Sequence, residues 1–417
     1  MIFYAQLAAR NVVRNVRRTL LSMGSVVAGV AVIVLGRSFI GGIEENIIRS
    51  QVDALSGHLE VRPVDYPTVG IAHPVDELFE VSPALRSAIE SRNGVFTTRL
   101  MFAPRAIHKG DSIRVRAIGF DPATDAAVFP RENWRCADAT RTDVKGCVGM
   151  IPETTADGVL IADNVGSLLG LKPGDTMFLE TRTFHGAINA LEVPVHGIVS
   201  TGNNALDRFG VFVPKALADE LVQPDGRVSH VLVRFPERDD AFAAKDALAS
   251  VLPAGTEALT WYDDCREMLE LQQIRRNALN LVVGLLMVIS ALGIANTILM
   301  AAYERVREIG TLRAMGMNRA GVIGLFVAEG AVMGIVGGTI GAVLAGIATW
   351  HWSTVGIDLT SGMKDAGNVA ISSMLYTEFS PPTLLGAIVF GALVAVAGSI
   401  WPAFVASSMQ PADAVRA

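Results

Sequence analysis

The chain has 417 residues, of which 51% are hydrophobic and 40 are glycine, and its mean hydropathy is +0.40. These values are high for a soluble enzyme, and the apolar residues are concentrated at the two ends of the chain, so the composition indicates a membrane protein. The net charge of −6 indicates neither a strongly basic nor a strongly acidic partner, and basic stretches interleaved with aromatic residues for nucleic-acid binding are missing.

Four apolar runs are long enough to cross a bilayer. Each contains about 20 or more mainly apolar residues, which a helix needs to span a hydrocarbon core of about 30 Å. We therefore predict transmembrane helices at 19–43, 277–302, 320–350 and 383–408. The expected fold is a membrane protein with one helix, a large mixed α/β extracytoplasmic domain in the insert at 44–276, and three further helices.

Basic residues set the expected orientation. They precede the first helix and lie between the second and third helices: Arg10, Arg14, Arg17, Arg18, Arg305, Arg307, Arg313 and Arg319. In the loop at 351–382, Lys364 is the one lysine or arginine. Because basic residues favour the cytoplasmic side, both termini and 303–319 are expected there, and the insert on the other side. A cleaved signal peptide is the competing interpretation, which the long apolar run and the missing small-residue cleavage site disfavour.

The segment 1–18 has apolar residues close to helical spacing with arginines between them. This pattern predicts a helix in the cytoplasmic interface, with its arginines facing lipid phosphates. The segment could equally be the basic flank of the first transmembrane helix, and both descriptions can hold. The residues at 409–417 are expected to form a cytoplasmic tail.

Arg37 is a charged residue inside the first apolar run. At 1.5 Å per residue it lies about 25 Å beyond Leu20, near the outer boundary, where snorkelling is favoured over a functional charge. Helical spacing of apolar residues continues past 43, and a second amphipathic pattern leads from Trp261 into the second helix. Two such extensions predict a stalk between the insert and the first two helices.

The insert contains patterns for both strands and helices. Alternating residues predict strands at 58–62, 112–118 and 191–198, whereas 82–91 and 241–251 have the spacing of helices. The insert is therefore predicted to be a mixed α/β domain.

The three cysteines all fall in the insert. Cys136 and Cys147 bracket a polar stretch, and in an oxidising compartment they are candidates for a disulfide. Cys265 is then expected to be a packed thiol. Cysteine and histidine residues do not occur at the spacing of metal ligands, so a metal site is not expected.

The third predicted helix carries two adjacent ridges of small residues. Gly334 and Gly338 belong to one ridge, and Gly337 and Gly341 to the other. Small residues at this spacing let helix backbones approach closely, either in a dimer or in an intramolecular seam, although glycine enrichment is also ordinary in membrane helices. Glu329 lies in the same apolar run and must face protein or water. A structural hydrogen-bonding role is favoured over ion or substrate handling.

Sequence motifs for catalysis are missing. The chain has no Gly-Lys dipeptide, which excludes a phosphate-binding P-loop, and it has neither GxSxG nor HExxH. We therefore expect a chain that is not an enzyme and binds no cofactor itself, so that its work is mechanical or is done by a partner.

The segment 303–319, YERVREIGTLRAMGMNR, is short, charged and compatible with a helix. It lies between two predicted transmembrane helices and therefore at a membrane surface. A membrane protein that is driven from outside the membrane needs a rigid contact of this kind.

This arrangement of helices and this segment resemble the MacB/FtsX/LolC–LolE superfamily of ABC transporter permeases. The residues that carry the resemblance are Asn296, Glu304, Arg305, Glu308, Ile309, Gly310, Leu312, Arg313, Ala314, Met315, Gly316 and Glu329. Similar stretches occur at 118–122, 169–175, 401–403 and 410–416, so the resemblance covers nearly the whole chain.

The resemblance implies a permease of the bacterial inner membrane that works as a dimer with an identical or homologous second subunit. It implies two copies of a separate cytoplasmic ATPase, which binds ATP and Mg²⁺, and a coupling helix at 303–316. The large domain is then periplasmic and MacB-like, and its motion is driven through the stalk. A periplasmic carrier or adaptor and membrane lipids are further implied partners.

The leading hypothesis is a permease that extracts or expels a lipoprotein, lipid or amphiphile at the outer face of the inner membrane. The alternative is an FtsX-like regulatory scaffold that activates an extracytoplasmic cell-wall hydrolase. An insert of about 230 residues favours the permease, because FtsX-like scaffolds are expected to carry smaller inserts. A membrane-bound enzyme is disfavoured by the missing catalytic motifs.

Overall fold

A computed structural model describes residues 16–64, 66, 67, 73–130, 134–138, 144, 145, 158–358 and 374–408. The chain divides into two compact units. A helical unit contains the residues up to Glu44, Glu270–Ile357 and those from Leu375 onward, and an α/β unit contains Glu45–Leu269 and Asp358–Met374.

The helices are α1 (Val16–Gln51), α2 (Pro83–Glu90), α3 (Pro122–Val128), α4 (Asp163–Leu169), α5 (Asn204–Phe209), α6 (Lys215–Val222), α7 (Asp240–Leu248), α8 (Trp261–Glu304), α9 (Val306–Ala314), α10 (Arg319–Val355) and α11 (Pro381–Ser408). The strands are β1 (Leu59–Pro63), β2 (Val95–Phe102), β3 (Arg105–His108), β4 (Asp111–Arg114), β5 (Arg116–Phe120), β6 (Arg135–Asp138), β7 (Val144–Lys145), β8 (Val159–Ala162), β9 (Thr176–Arg182), β10 (Ile188–Ser200), β11 (Gly210–Pro214), β12 (His230–Arg234), β13 (Thr256–Thr260), β14 (Ile357–Asp358) and β15 (Met374–Leu375).

Four helices in the described part of the chain are long and apolar enough to cross a membrane, which confirms the predicted fold class. They are α1, α8, α10 and α11. Two of them extend well beyond their apolar runs: α1 continues to Gln51, and α8 begins at Trp261. Both extensions lead toward the inserted domain in sequence, as the helical spacing predicted. The segments 1–15 and 409–417, for which an interfacial helix and a tail were predicted, lie outside the described residues.

The core of the helical unit is formed by apolar side chains from all four long helices, many of them small or β-branched. Val30 of α1, Ile294 of α8, Phe326 of α10 and Ala395 of α11 are each at most 1% exposed. Small residues permit close helix packing, and close packing is a main source of association between helices in lipid.

The α/β unit is built on an extended sheet. The strand order is β13-β1-β12-β2-β5-β11-β8-β10-β9-β3-β4, with β6 beside β10 and β7. The pairs β5–β11 and β8–β10 are parallel and the other pairs are antiparallel. Apolar residues from the strands and the short helices fill two large clusters and two smaller ones around this sheet, and one of the large clusters includes the free, fully buried thiol of Cys265. Cys265 is therefore a packed thiol, as predicted.

One predicted strand is wrong in detail. The segment 112–118 is not a single strand. It is divided between β4 (Asp111–Arg114) and β5 (Arg116–Phe120), and Val115 between them belongs to neither strand. The division follows from a change of partners: β4 pairs with β3, and the N–H of Val115 still donates to the carbonyl of Pro104 in the same register, whereas β5 pairs with β2 and β11. The other predicted strands and helices lie within two or three residues of β1, β10, α2 and α7.

An ion pair is fully buried in the α/β unit. The guanidinium of Arg99 donates to the carboxylate of Asp125 over 2.8 Å and to the carbonyl of Ala54 over 2.9 Å, and it lies 3.5 Å from the ring centre of Phe129. Arg99 is 0% exposed. A buried charge is tolerated because these contacts replace its hydration.

A second buried polar cluster surrounds Glu60. Its carboxyl lies 3.3 Å from Nε2 of His230 and 3.6 Å from Nη1 of Arg62. Burial, together with the neighbouring carboxylate of Asp264, raises the pKa of Glu60 well above its ordinary value. Burial also lowers the pKa of His230. At neutral pH His230 is therefore uncharged in the folded domain.

Candidate coupling segment and its anchors

The segment predicted as a coupling helix at 303–319 is interrupted at both ends. Helix α8 ends at Glu304, and Arg305 has a non-helical backbone conformation (φ −112°, ψ 23°) before α9 begins at Val306. The N–H of Ile309 then donates to the carbonyl of Arg305, which starts the new helix. Arg305 is therefore the residue that separates α8 from α9.

The end of α9 is fixed by a glycine. Gly316 has a φ of +104°, a left-handed conformation that favours glycine. Its N–H donates to the carbonyl of Arg313, and the N–H of Met317 donates to that of Leu312. These two hydrogen bonds are the Schellman motif that ends a helix. Asn318 then caps α10 by accepting a hydrogen bond from the N–H of Gly321 over 2.8 Å.

One face of the segment is anchored in the helical unit. Arg305 is 6% exposed, and its Nη1 lies 4.0 Å from Oε2 of Glu329, which is also 6% exposed. Ile309 is 4% exposed and Gly310 is buried beside it. Arg313 donates from Nη1 to the carbonyl of Ser407 in α11 over 3.3 Å. An ion pair, an apolar contact and a hydrogen bond therefore hold the segment against two long helices.

The opposite face is open to solvent. Its exposed members are Tyr303, Glu304, Arg307, Glu308, Thr311, Ala314, Met315 and Gly316, and Leu312 is partly exposed. Met315 is 76% exposed, which is a large apolar surface for a side chain at a helix end. The residues predicted for coupling are thus divided between an anchoring face and an exposed face, a division suited to a helix that receives a partner on one side.

The two polar residues predicted inside the membrane have different surroundings. Glu329 is buried and faces Arg305, whereas Asn296 lies on an exposed face of α8. The pairing of Glu329 with Arg305 could not be predicted from the sequence. The sequence shows an acid inside one apolar run and a basic residue beside another, but the two residues are 24 positions apart.

The first ridge of small residues in α10 packs against α11. A Cβ atom at Gly334 would lie 2.6 Å from Cβ of Ala395, and one at Gly338 would lie 3.4 Å from the carbonyl oxygen of Ile388. The two helices therefore approach each other closely along this ridge.

The second ridge packs against α1. A Cβ atom at Gly337 would lie 3.3 Å from the side chain of Val26, and one at Gly341 would lie 2.6 Å from the carbonyl oxygen of Val27. The structure thus places the two ridges in two intramolecular seams, which hold α10 between α1 and α11.

Replacing Gly341 with alanine is expected to destabilise the helical unit by about 1–3 kcal/mol, because the added methyl group would overlap backbone atoms of α1 that cannot move aside independently. Thermal unfolding of the full chain in detergent measures this effect. Gly386→Ala is the matched control, since a Cβ atom there meets nothing within 4 Å. Equal stability of the two variants would contradict close packing at this seam.

Hydroxyl groups connect α1 with α8. Ser22 and Thr297 are hydrogen-bonded through their hydroxyl oxygens, and Ser290 donates to the carbonyl of Ser25 over 3.0 Å. These contacts could not be predicted from the sequence, because serine and threonine within an apolar run do not reveal their partners. In lipid such bonds stabilise helix pairs modestly.

The predicted disulfide between Cys136 and Cys147 stays a prediction, since Cys147 lies outside the described residues.

Within the described residues, no group of three histidine, cysteine, aspartate or glutamate side chains is arranged to hold a metal ion.

Residues 280–411, which include α9, α10 and α11, match the family described as FtsX-like permease C-terminal. The chain is 22% identical over 413 residues to the lipoprotein-releasing system transmembrane protein LolC of Neisseria meningitidis serogroup B, covering 95% of this chain and 94% of that protein. It is 22% identical over 270 residues to LolC of Xylella fastidiosa (strain Temecula1), covering 62% of this chain and 64% of the length of that relative. The solved periplasmic region of MacB from Actinobacillus actinomycetemcomitans aligns with a TM-score of 0.35 and 9% identity, covering 54% of this chain and 95% of that region. The chain thus carries an FtsX-like permease domain at 280–411 and is similar to LolC, MacB and other ABC transporter permeases.

Proposed function

We propose that the chain is the membrane subunit of a transporter whose ATPase is a separate protein. The observation that carries this proposal is the two-faced α9, which is anchored through Arg305 and Glu329 and leaves Glu308 and Met315 exposed. A short helix of this kind can receive a partner without losing its attachment to the long helices. The ATPase would supply ATP and Mg²⁺ binding, and this chain would not be an enzyme.

The path for a mechanical signal is one helix. Helix α8 is a single helix of 44 residues, which corresponds to about 66 Å at 1.5 Å per residue. It begins directly after strand β13 of the α/β unit, and a single residue, Arg305, separates its end from α9. A displacement of α9 by the ATPase would therefore be passed along α8 to the sheet, which supports the proposed stalk.

The orientation and location are part of the proposal. The chain would lie in the bacterial inner membrane, with both termini and α9 in the cytoplasm and the α/β unit in the periplasm, because the basic residues favour this arrangement. Two copies of the ATPase would bind a pair of permease subunits, either identical or homologous, and a periplasmic carrier or adaptor would receive the product.

For the substrate we propose a lipoprotein, lipid or other amphiphile that is taken from the outer face of the inner membrane. The similarity to LolC, a protein described as part of a lipoprotein-releasing system, supports this class, and it extends over 95% of the chain. The large α/β unit provides a surface on which a released amphiphile could be received.

The test is ATP hydrolysis by the chain assembled with its ATPase in lipid nanodiscs. We expect a lipoprotein to raise the hydrolysis rate several-fold and to be released from the nanodisc in an ATP-dependent step. The same polypeptide without acyl chains is the matched control, and a macrolide tests a drug-export alternative. Failure of every amphiphile to stimulate hydrolysis, combined with binding of a cell-wall hydrolase, would replace the transporter with an FtsX-like scaffold.

A further inference from the structure

The helical unit contains a polar cavity of about 350 Å³. It is lined by the last turns of the apolar run of α1, the adjoining part of α8 and the first turn of α11. The residues that matter for its chemistry are Arg37, Ser38, Arg276, Asn280 and Glu378. A volume of this size is typical of sites for small ligands.

The cavity lies where the apolar segments of three helices become polar. Arg37 is near one end of the apolar run of α1, Asn280 is near the start of that of α8, and Thr383 begins that of α11. All three positions are on the side from which the chain leaves α1 to enter the α/β unit. In a bilayer this is the level of the lipid headgroups rather than of the acyl chains.

Two exposed side chains of opposite charge line the cavity, Arg37 and Glu378. In the described part of the chain, the guanidinium of Arg37 makes neither a hydrogen bond nor an ion pair, and the carboxylate of Glu378 makes no ion pair. Arg276 also lines the cavity, but unlike Arg37 it forms an ion pair with Glu44. A cation and an anion that face one cavity but do not pair with each other suit a ligand that carries both charges.

The backbone of Glu378 is attached to α1, and its exposed carboxylate lies beside the same helix. The N–H of Glu378 donates to the carbonyl of Ser38 over 3.0 Å, which attaches this residue to α1. The carboxylate lies against Gly41, where a Cβ atom would collide with it. The acid is thus held at α1 by a backbone hydrogen bond and by a glycine that makes room for it.

We propose that this cavity binds the headgroup of an aminophospholipid, in which a phosphate and a primary ammonium are joined by a short linker. Arg37 would bind the phosphate, since guanidinium groups form charge-assisted pairs with phosphate oxygens, and Asn280 would donate from its amide. Glu378 would accept hydrogen bonds from the ammonium group. A choline headgroup has no N–H to donate, and a glycerol headgroup has no cation, so both would bind less well.

A lipid is favoured over a free phosphate ester by the surface beside the cavity. Leu281, which follows Asn280 in α8, is 74% exposed, and Leu285, one turn further, is 61% exposed. These side chains offer an apolar strip to the acyl chains of a lipid whose headgroup is bound in the cavity. The proposal rests on the helical unit lying in a bilayer and is independent of the proposed coupling to an ATPase.

The test is lipid binding to the full-length chain, measured by native mass spectrometry after titration with phosphatidylethanolamine, phosphatidylcholine or phosphatidylglycerol of the same acyl composition. We expect phosphatidylethanolamine to bind at least about tenfold more tightly than the other two, since each lacks one charge-assisted contact. Equal binding of the three lipids would overturn the proposal.

Two variants test the roles of the two charged side chains one at a time. Arg37→Gln is expected to weaken binding of phosphatidylethanolamine and phosphatidylglycerol alike by about tenfold, whereas Glu378→Gln is expected to abolish the preference for phosphatidylethanolamine while leaving phosphatidylglycerol bound. Arg49→Gln removes an exposed arginine outside the cavity and is the control for a general loss of charge. An unchanged lipid preference in Glu378→Gln would contradict the assigned role of the carboxylate. Competition by soluble phosphoethanolamine at the same concentration as the lipid would show a soluble ligand and overturn the lipid assignment.

Discussion

Replacing Arg99 with alanine is expected to lower the free energy of unfolding of the α/β unit by about 3–5 kcal/mol. The change removes the hydrogen bonds to Asp125 and to the carbonyl of Ala54, and it leaves the carboxylate of Asp125 buried without its cation. It also empties the space beside the ring of Phe129, which lies 3.5 Å from the guanidinium carbon. An uncompensated buried charge costs more than the ion pair contributes, and this asymmetry sets the size of the effect.

The full chain in mild detergent, unfolded with urea and followed by tryptophan fluorescence, provides the measurement. Arg105→Ala is the matched control, because Arg105 pairs with Glu180 at 3.8 Å in the same unit but is 57% exposed at its side chain. Exposed pairs contribute at most about 1 kcal/mol, so this variant is expected to remain close to the wild type. The double variant Arg99→Met, Asp125→Leu is expected to recover most of the lost stability. A loss below about 1 kcal/mol in Arg99→Ala would mean that water reaches the Asp125 carboxylate.

The sequence was informative where the structural signal is local. Runs of apolar residues and their spacing predicted the four long helices, the continuation of α8 back to Trp261 and the strands β1 and β10, because hydropathy and periodicity are properties of neighbouring residues. The division of 112–118 into two strands was missed, since the chain exchanges pairing with β3 for pairing with β2 and β11 at this point, and no periodic pattern contains that exchange.

Contacts between distant residues were not predicted. Arg99 and Asp125 are 26 positions apart in the chain, and Arg305 and Glu329 are 24 apart. For Glu329 the apolar sequence around it indicated that a partner or water must face it, but not which residue. The glycine ridges of α10 are a similar case: their spacing indicated close packing, and the structure was needed to identify α11 and α1 as the neighbours.

Replacing Glu329 with glutamine is expected to reduce substrate-stimulated ATP hydrolysis and transport by about tenfold while the complex still assembles. The amide keeps the size of the side chain but removes the charge opposite Arg305. Arg305 lies at the break between α8 and α9, next to solvent-exposed residues. Its guanidinium can therefore turn outward instead of remaining buried without a counter-charge. The expected defect is a loosened α9 rather than an unfolded helical unit.

The expected tenfold reduction follows from the usual size of the coupling free energy between two sites, here the substrate site and the ATPase. Coupling free energies of about 1–3 kcal/mol correspond to changes of roughly 5–150-fold, and a single anchor among several contributes a part of that. Arg313 and Ile309 still hold α9 in the variant, so the ATPase is expected to bind with nearly unchanged affinity. Basal hydrolysis should persist, and the response to substrate should be lost.

Three measurements on the assembled complex distinguish loosened coupling from misfolding: the melting temperature, the amount of ATPase retained on purification and the ratio of stimulated to basal hydrolysis. Thr339→Ala in α10 is the control, because its exposed hydroxyl donates to the carbonyl of Ile335 within its own helix over 2.7 Å. A Glu329→Gln complex with a normal stimulation ratio would show that the ion pair does not transmit force. A complex that fails to retain the ATPase would instead assign Glu329 to the stability of the docking surface. Since Arg305 lies directly between the end of the long helix α8 at Glu304 and the start of α9, retention of the ATPase with loss of stimulation is the result that the geometry favours.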